Sequence, residues 1–373
     1  MFNLRTIGIM KYITSPYLRK TRIESRQDSN EIFNAYIFRN QFVGNEEMAV
    51  LKYCKNERPL QTLYDIFGCS VVDNLIRKHC LFEYNSQWAC CAPVYVEIET
   101  STICNWKCKY CPVKDHERSI RFIDPSLFSE IITQASHVPS IRRMAIHAYN
   151  EPLIDPNFNF YVEHIVGHGF VLELHTNGSL LNEEKIQFMR RYKQQIGVVV
   201  NIPSVDPAIF KDMTEYYSPE PTIRAIELCS LNEIPVVITV EGQGQSHIKE
   251  TQKICQRFPE IPVTSYESND RAGLLKSDFY QDIHINDKKL FGCSMIMEAI
   301  RISIDGDFYI CWNDFYKKHT YGNIADKSFL QILSGEEASH LRKQVMGAVS
   351  ADENFICRNC IGMKISKTQY GKI

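Results

Sequence analysis

Six apolar runs recur between Val94 and about Ala272: VYVEIET, RMAIHAY, FVLELHT, IGVVVNI, PVVITVE and IPVTSYE. Between them lie stretches of helical periodicity, SLFSEIITQAS, FNFYVEHIVGHG, NEEKIQFMRRY, PTIRAIELCSLN and HIKETQKICQRF. Runs that are apolar nearly throughout belong to strands covered on both faces, and their alternation with amphipathic helices makes the strands parallel. Six such units predict an α/β chain built on a partial (β/α)6 barrel of the TIM type. In barrels of this kind the chemistry sits at the carboxyl ends of the strands.

Upstream, NEEMAVLKYC reads as a helix capped by Asn45, RPLQTLYDIFG as a second that stops at Gly68, and SVVDNLIRKH as a third with Ser70 and Asp73 as its capping box. LFEYNSQW then reads as a wing or hairpin, so the pattern predicts a winged-helix-like module. Downstream of Leu290 the regularity fades and cysteines return, as in a small domain stabilised by a metal rather than by a core. The expected division is therefore residues 1–92, 93–275 and 285–373. No repeat of solenoid period is present.

Composition adds three constraints. The net charge of −2 gives no electrostatic case for nucleic acid as the main partner. No run approaches the roughly 18 apolar residues of a membrane span, and the opening MFNLRTIGIMKYI lacks the features of a secretory signal. A cytoplasmic protein is expected, starting at Met1 or Met10. Its 14 cysteines are then reduced thiols, and their spacing points to metal ligation.

ETSTICNWKCKYCPV places Cys104, Cys108 and Cys111 at C-x3-C-x2-C directly after the first strand. Chance would produce that spacing about 0.02 times in a chain of this length and cysteine content. Three thiolates can hold three irons of a [4Fe-4S] cube and leave the fourth open to a small ligand. A structural zinc site asks for a fourth protein ligand that the triad does not supply.

This triad, with an aromatic residue before its last cysteine, on the first βα loop of a partial barrel, resembles the radical S-adenosylmethionine (radical SAM) superfamily. The resemblance implies that S-adenosyl-L-methionine chelates the open iron and is cleaved by one electron to a 5'-deoxyadenosyl radical, which takes hydrogen from the substrate. HAYNEPLIDP is similar to the family's Gly-Gly-Glu-Pro segment, which makes Glu151 the candidate partner of the methionyl ammonium, although Tyr149 and Asn150 stand where glycines are usual. By the same resemblance Asn150 beside Glu151, Asn177 in HTNGSLL, Asn201 and Ser204 in NIPSVD, and Arg271 in SNDRAG are candidate cofactor contacts, and Tyr110 is placed beside adenine.

Cys293, Cys311, Cys357 and Cys360, with Gly306 between the first two, resemble the SPASM auxiliary-cluster region in its shorter, twitch form. That implies a second [4Fe-4S] cluster, with a zinc ribbon as the alternative for four cysteines. Cys54, Cys69, Cys80, Cys90, Cys91, Cys229 and Cys255 share no ligand spacing and read as buried thiols.

The N-terminal module resembles the PqqD-like peptide-recognition element of radical SAM/SPASM peptide maturases, which implies a precursor peptide as substrate and a low-potential donor such as a flavodoxin or ferredoxin. Oxidation or epimerisation of an amino sugar or cyclitol is the second enzymatic reading. A nucleic-acid-binding winged helix with a structural metal, supported by Arg77, Lys78 and His79, is the third.

Overall fold

A computed structural model describes residues 11–15, 18–21, 29–34, 39–83, 93–275, 290, 292–293, 295–361 and 370–372. The chain divides into two compact units, one of Met1–Pro93 with Ile285–Glu298 and Leu330–Ile373, the other of Val94–His284 with Ala299–Phe329.

The first unit opens with four strands that the polarity pattern gave no sign of, β1 (Lys11–Thr14), β2 (Leu18–Thr21), β3 (Ser29–Asn34) and β4 (Arg39–Gly44). Then come α1 (Asn45–Tyr53), β5 (Arg58–Pro59), α2 (Leu60–Phe67), α3 (Cys69–Arg77) and β6 (Leu81–Glu83). The three expected helices are present. They pack Val50, Leu51, Leu63, Val72 and Leu75, none of them exposed, into one core. Burying each such side chain contributes roughly 1.5–3 kcal/mol. The expected wing is partly visible as β6, which pairs antiparallel with β1, as does β5. The rest of LFEYNSQW, and Cys90 and Cys91, lie outside the described residues.

Two caps differ from expectation. Gly44, not Asn45, caps α1, and its N–H donates to the Glu47 carboxylate at 2.8 Å. Ser70 caps nothing, because Gly68, at φ 80°, both ends α2 and starts α3, while Asp73 accepts the Tyr64 hydroxyl at 2.7 Å. Glu47 also accepts from Asn74 at 2.6 Å and Lys78 at 2.8 Å, so Lys78 serves the fold of this unit.

Burial works to raise the Glu47 carboxyl, but hydrogen bonds from Lys78, Gly44 and Asn74 outweigh it and hold the group below the usual carboxylate value. A depressed carboxyl contributes stability that is present above its unfolded value and lost as pH falls through its folded one. Glu47→Ala is therefore expected to lose about 2 kcal/mol at neutral pH. In denaturant titrations the gap from wild type should close as the pH drops below about 4; a gap that persists at acid pH would show that the stabilisation is not ionic.

The second unit carries the barrel. β7 (Tyr95–Ile98), α4 (Pro125–Ser136), β8 (Arg143–Ala145), α5 (Phe158–Gly167), β9 (Val171–Thr176), α6 (Glu183–Arg190) and β10 (Ile196–Asn201) alternate as expected. After α7 (Pro207–Thr214) and α8 (Glu220–Leu231) come β11 (Val236–Gly242), α9 (Gly244–Arg257) and β12 (Val263–Glu267). β7 to β12 lie side by side in sequential order, all parallel, which is a partial TIM-type barrel. Gly178 lies against Val200 and against Ala225 of α8, so Val198 and Val200 face the helices. By strand alternation Asn201 faces the other way, into the lumen.

The irregular tail expected after Leu290 instead extends this sheet. β13 (Ala299–Ile302) runs parallel beside β7, and β14 (Asp307–Tyr309) and β15 (Thr320–Asn323) follow antiparallel. Gly306 makes the β13–β14 turn at φ 83°, where an added Cβ would meet Ile324 at 2.8 Å. The later stretches of the first unit contribute α10 (Glu336–Val345) and β16 (Tyr370–Lys372), which pairs antiparallel with β2. Among the described residues no helix is long and apolar enough to cross a membrane.

Candidate active site

The loops after β7, β8, β9 and β12 and the ends of β10 and β11 carry the candidate residues. Cys104, Cys108 and Cys111 follow β7, on a loop closed by Cys111 N–H to Cys108 O at 3.0 Å. Helix α7, missed in the sequence although Asp206-Pro207 is a sound start signal, holds this loop. Lys107 N–H donates to Thr214 O and Lys109 N–H to Met213 O, both at 2.9 Å, and Trp106 packs edge-on against Phe210. Val113, Tyr149 and Phe315 form an apolar wall against Cys104 and Cys111.

The three thiols are electrostatically coupled. Burial, then Glu151, push Cys104 up to about 12. Burial, then Cys111 and Cys104, raise Cys108 well above the ordinary thiol value, and burial raises Cys111 while the Val113 N–H, Arg271 and Arg118 pull it back. Thiols in this state stay protonated until a metal displaces the protons. Among the described residues no three His, Cys, Asp or Glu side chains converge on a point where one metal ion could sit. In a multi-iron cube each cysteine binds a different iron, so three of them leave the fourth iron open.

Glu151, buried, is the hinge between three loops. Its N–H donates to Ile103 O at 2.9 Å, and its carboxylate accepts Leu153 N–H at 3.1 Å, the Thr176 hydroxyl at 2.7 Å and Asn177 N–H at 2.8 Å. Burial raises it despite these donors. Asn177 reaches back to Asn105 Oδ1 at 2.8 Å, and Asn105 donates to Ser179 at 2.9 Å, tying the cysteine loop to the loop after β9. Tyr110, buried, donates its hydroxyl to Asn201 at 2.7 Å, and Asn201 donates to Thr239 at 3.3 Å. Arg271, at φ 51°, pairs with Glu241 at 3.3 Å, at the end of β11. Tyr110, Glu151, Asn177, Asn201 and Arg271 are thus brought to one end of the sheet with the triad.

Two candidates have other engagements. Asn150 straps its own loop, accepting Ala148 N–H at 2.8 Å and donating to Thr100 at 3.3 Å. Ser204, with no exposed surface, donates to Glu250 and accepts Asp206 N–H at 2.9 Å, so its hydroxyl serves a buried turn. Sequence reasoning passed over Asn105, Thr176 and Glu241. Glu241 was discoverable, since it stands at a strand's carboxyl end.

Of the second cysteine set, Cys311 follows β14 in the barrel unit, whereas Cys293, Cys357 and Cys360 belong to the first unit. Cys357 lies in a 3-10 turn that Cys360 caps, with Cys360 N–H on Cys357 O at 3.4 Å. Cys54, Cys80 and Cys229 are buried as expected, but Cys69 and Cys255 are exposed, the first because α3 starts at it.

Residues 98–253 match the radical SAM superfamily, and residues 293–361 match the iron-sulfur cluster-binding domain called SPASM. The chain is 21% identical to the S-adenosyl-L-methionine-dependent 2-deoxy-scyllo-inosamine dehydrogenase of Niallia circulans, over 74% of this chain and 96% of that protein. Its fold resembles Streptococcus suis SuiB bound to precursor peptide SuiA, with a TM-score of 0.59, 14% identity and coverage of 94% of each chain. It also resembles anSMEcpe with bound AdoMet and the Cp18Cys peptide, with a TM-score of 0.55 and 14% identity over 73% of this chain and 87% of that one.

Proposed function

This chain belongs to the radical SAM superfamily, with a SPASM region after its barrel in the sequence, and from that premise we propose that it matures a ribosomally made precursor peptide. Its cofactors are a [4Fe-4S] cluster with S-adenosyl-L-methionine and an auxiliary iron-sulfur cluster. When bound, the first pair supplies a 5'-deoxyadenosyl radical that removes hydrogen from the substrate.

In this reading Cys104, Cys108 and Cys111 ligate the first cluster, and Cys293, Cys311, Cys357 and Cys360 the auxiliary one. Glu151 and Arg271 offer opposite charges to the methionyl ammonium and carboxylate. Asn177 and Asn201 lie on the ribose side with their amides tied to Asn105 and to Tyr110 and Thr239, and the Val113, Tyr149 and Phe315 wall excludes water. A reduced flavodoxin or ferredoxin is the expected electron donor.

The observation that carries the peptide reading is coverage. The likeness to peptide-bound SuiB runs over 94% of this chain, whereas that to anSMEcpe stops at 73%. What the longer match takes in includes the strands and helices of the N-terminal unit, and antiparallel sheet edges there could receive a leader as an added strand, as in PqqD-like elements. A second reading, dehydrogenation of an aminocyclitol, is favoured by the 96% coverage of the Niallia circulans dehydrogenase.

The test incubates anaerobically reconstituted enzyme with S-adenosyl-L-methionine, dithionite and either peptides from small reading frames flanking the gene or 2-deoxy-scyllo-inosamine. Substrate-dependent 5'-deoxyadenosine with a mass change in a peptide is expected, together with leader binding in fluorescence anisotropy. Turnover of the cyclitol and of no peptide would replace the first reading by the second.

A further inference from the structure

The lumen side of β7, β8 and β9 is unusually polar. Tyr95 and Glu97 come from β7, and Glu173 and His175 from β9, while His147 lies just past the end of β8. The rings of His147 and His175 lie face to face, with centroids 4.1 Å apart and planes 23° from parallel. His175 Nε2 is 2.8 Å from Glu173 Oε1 and 3.3 Å from the Tyr95 hydroxyl, and Glu173 Oε2 accepts Arg143 at 3.0 Å. His175 is therefore held by its neighbours. His147 is not, because its buried Nδ1 finds no hydrogen-bond partner among the described residues.

Position gives this atom meaning. His147 is one strand period before Tyr149, which packs against Cys104 and Cys111, and His175 is one period before Asn177, which binds Glu151. The pair thus forms the layer beneath the loops that hold the triad and the candidate cofactor contacts. A buried polar atom left unpaired costs stability that a phenylalanine of similar shape would not. His147 follows its strand at the carboxyl end of the barrel, the end at which substrates bind in this architecture.

We propose that His147 is the acid–base residue of the barrel, its Nδ1 taking a proton from an O–H or N–H on the carbon that loses hydrogen. In this step the heteroatom–hydrogen bond breaks, an N–H bond forms on the imidazole, and both bonding electrons stay with the substrate. The substrate class follows: the attacked carbon bears a hydroxyl or a nitrogen, as in a serine or threonine side chain, a peptide α-carbon or a hydroxylated ring. A purely alkyl carbon does not fit. The inference rests on the radical SAM reading of the barrel and not on the choice between peptide and cyclitol.

Burial, then His175 and Arg301, hold His147 well below the ordinary histidine value. It therefore stands neutral before the step, with Glu173 and Tyr95 also facing the stacked pair.

The test uses the reconstituted full chain on whichever probe of the preceding section turns over, deuterated at the attacked carbon. For His147→Gln, product is expected to fall about 10²-fold or more, deuterium transfer to 5'-deoxyadenosine only about tenfold or less, and added imidazole to restore product. Equal loss of product and label transfer, or no loss of either, would overturn the proposal. A readout without turnover is ¹⁵N-histidine NMR of the oxidised holoenzyme, in which saturating probe should shift the His147 ring nitrogens; unmoved signals would also overturn it. Cyclitol turnover in place of peptide turnover sinks the peptide reading alone, since the His147 comparison is then made on the cyclitol.

Discussion

Replacing Cys104, Cys108 or Cys111 by alanine is expected to lower 5'-deoxyadenosine formation by about 10³-fold or more, because members of one ligand set fail together. Two remaining thiolates leave two irons of the cube without protein ligands. The loop itself should survive, since Lys107 and Lys109 are bound through their backbone to Thr214 and Met213, and alanine asks for no new space. The check is iron content and visible charge-transfer absorption beside a melting curve: iron lost, melting unchanged. Cys229→Ala is the control. That thiol is buried on α8, at the helix end that leads into β11 and so away from the sheet's carboxyl end; its loss should cost about 1–2 kcal/mol of core packing and leave cofactor cleavage intact. Cleavage surviving in any of the three triad variants would end the radical SAM assignment of these residues.

Arg301→Met should be the most destabilising single change in the barrel. Arg301 Nε lies 2.7 Å from Glu97 Oε2, with side chains 0% and 3% exposed. The guanidinium also covers the Trp312 ring at 4.5 Å, and Trp312 donates its ring N–H to the same carboxylate. Removing the arginine leaves a buried carboxylate without its counter-ion, which costs about 3–5 kcal/mol. For a unit of this size that lowers the melting temperature by about 10 °C. The double variant Glu97→Leu with Arg301→Met should regain most of the loss, because a buried pair replaced by apolar groups is often neutral. A single variant that melts like wild type would mean that the pair is not buried as described.

The nucleic-acid reading loses its footing on Lys78. The basic run Arg77, Lys78 and His79 looked like a DNA-facing helix end, yet the Lys78 ammonium is bound to Glu47, 31 residues upstream. Ser70 and Asp73 failed as a capping box for a similar reason. The motif is local, but Tyr64 on the preceding helix claims the Asp73 carboxylate first. Ser204 sits in a sequence position that suits a ribose contact, but Glu250 of α9 takes its hydroxyl.

Local pattern was enough to mark the six parallel strands, five of the helices between them and the cysteine triad. All of these are short-range signals: apolar periodicity within a dozen residues, and three ligands within eight. Tertiary structure alone decided that β13 to β15 extend the sheet beside β7, and that Glu97 meets Arg301 and Trp312 from more than 200 positions away. It also decided that His147 and His175 face each other across neighbouring strands. A glutamate or histidine in a strand reads the same whether it meets water or a partner, since its local sequence does not specify what the fold brings opposite. Burial of charge is settled by those distant partners, and so the polar lumen could be seen only once the strands were side by side.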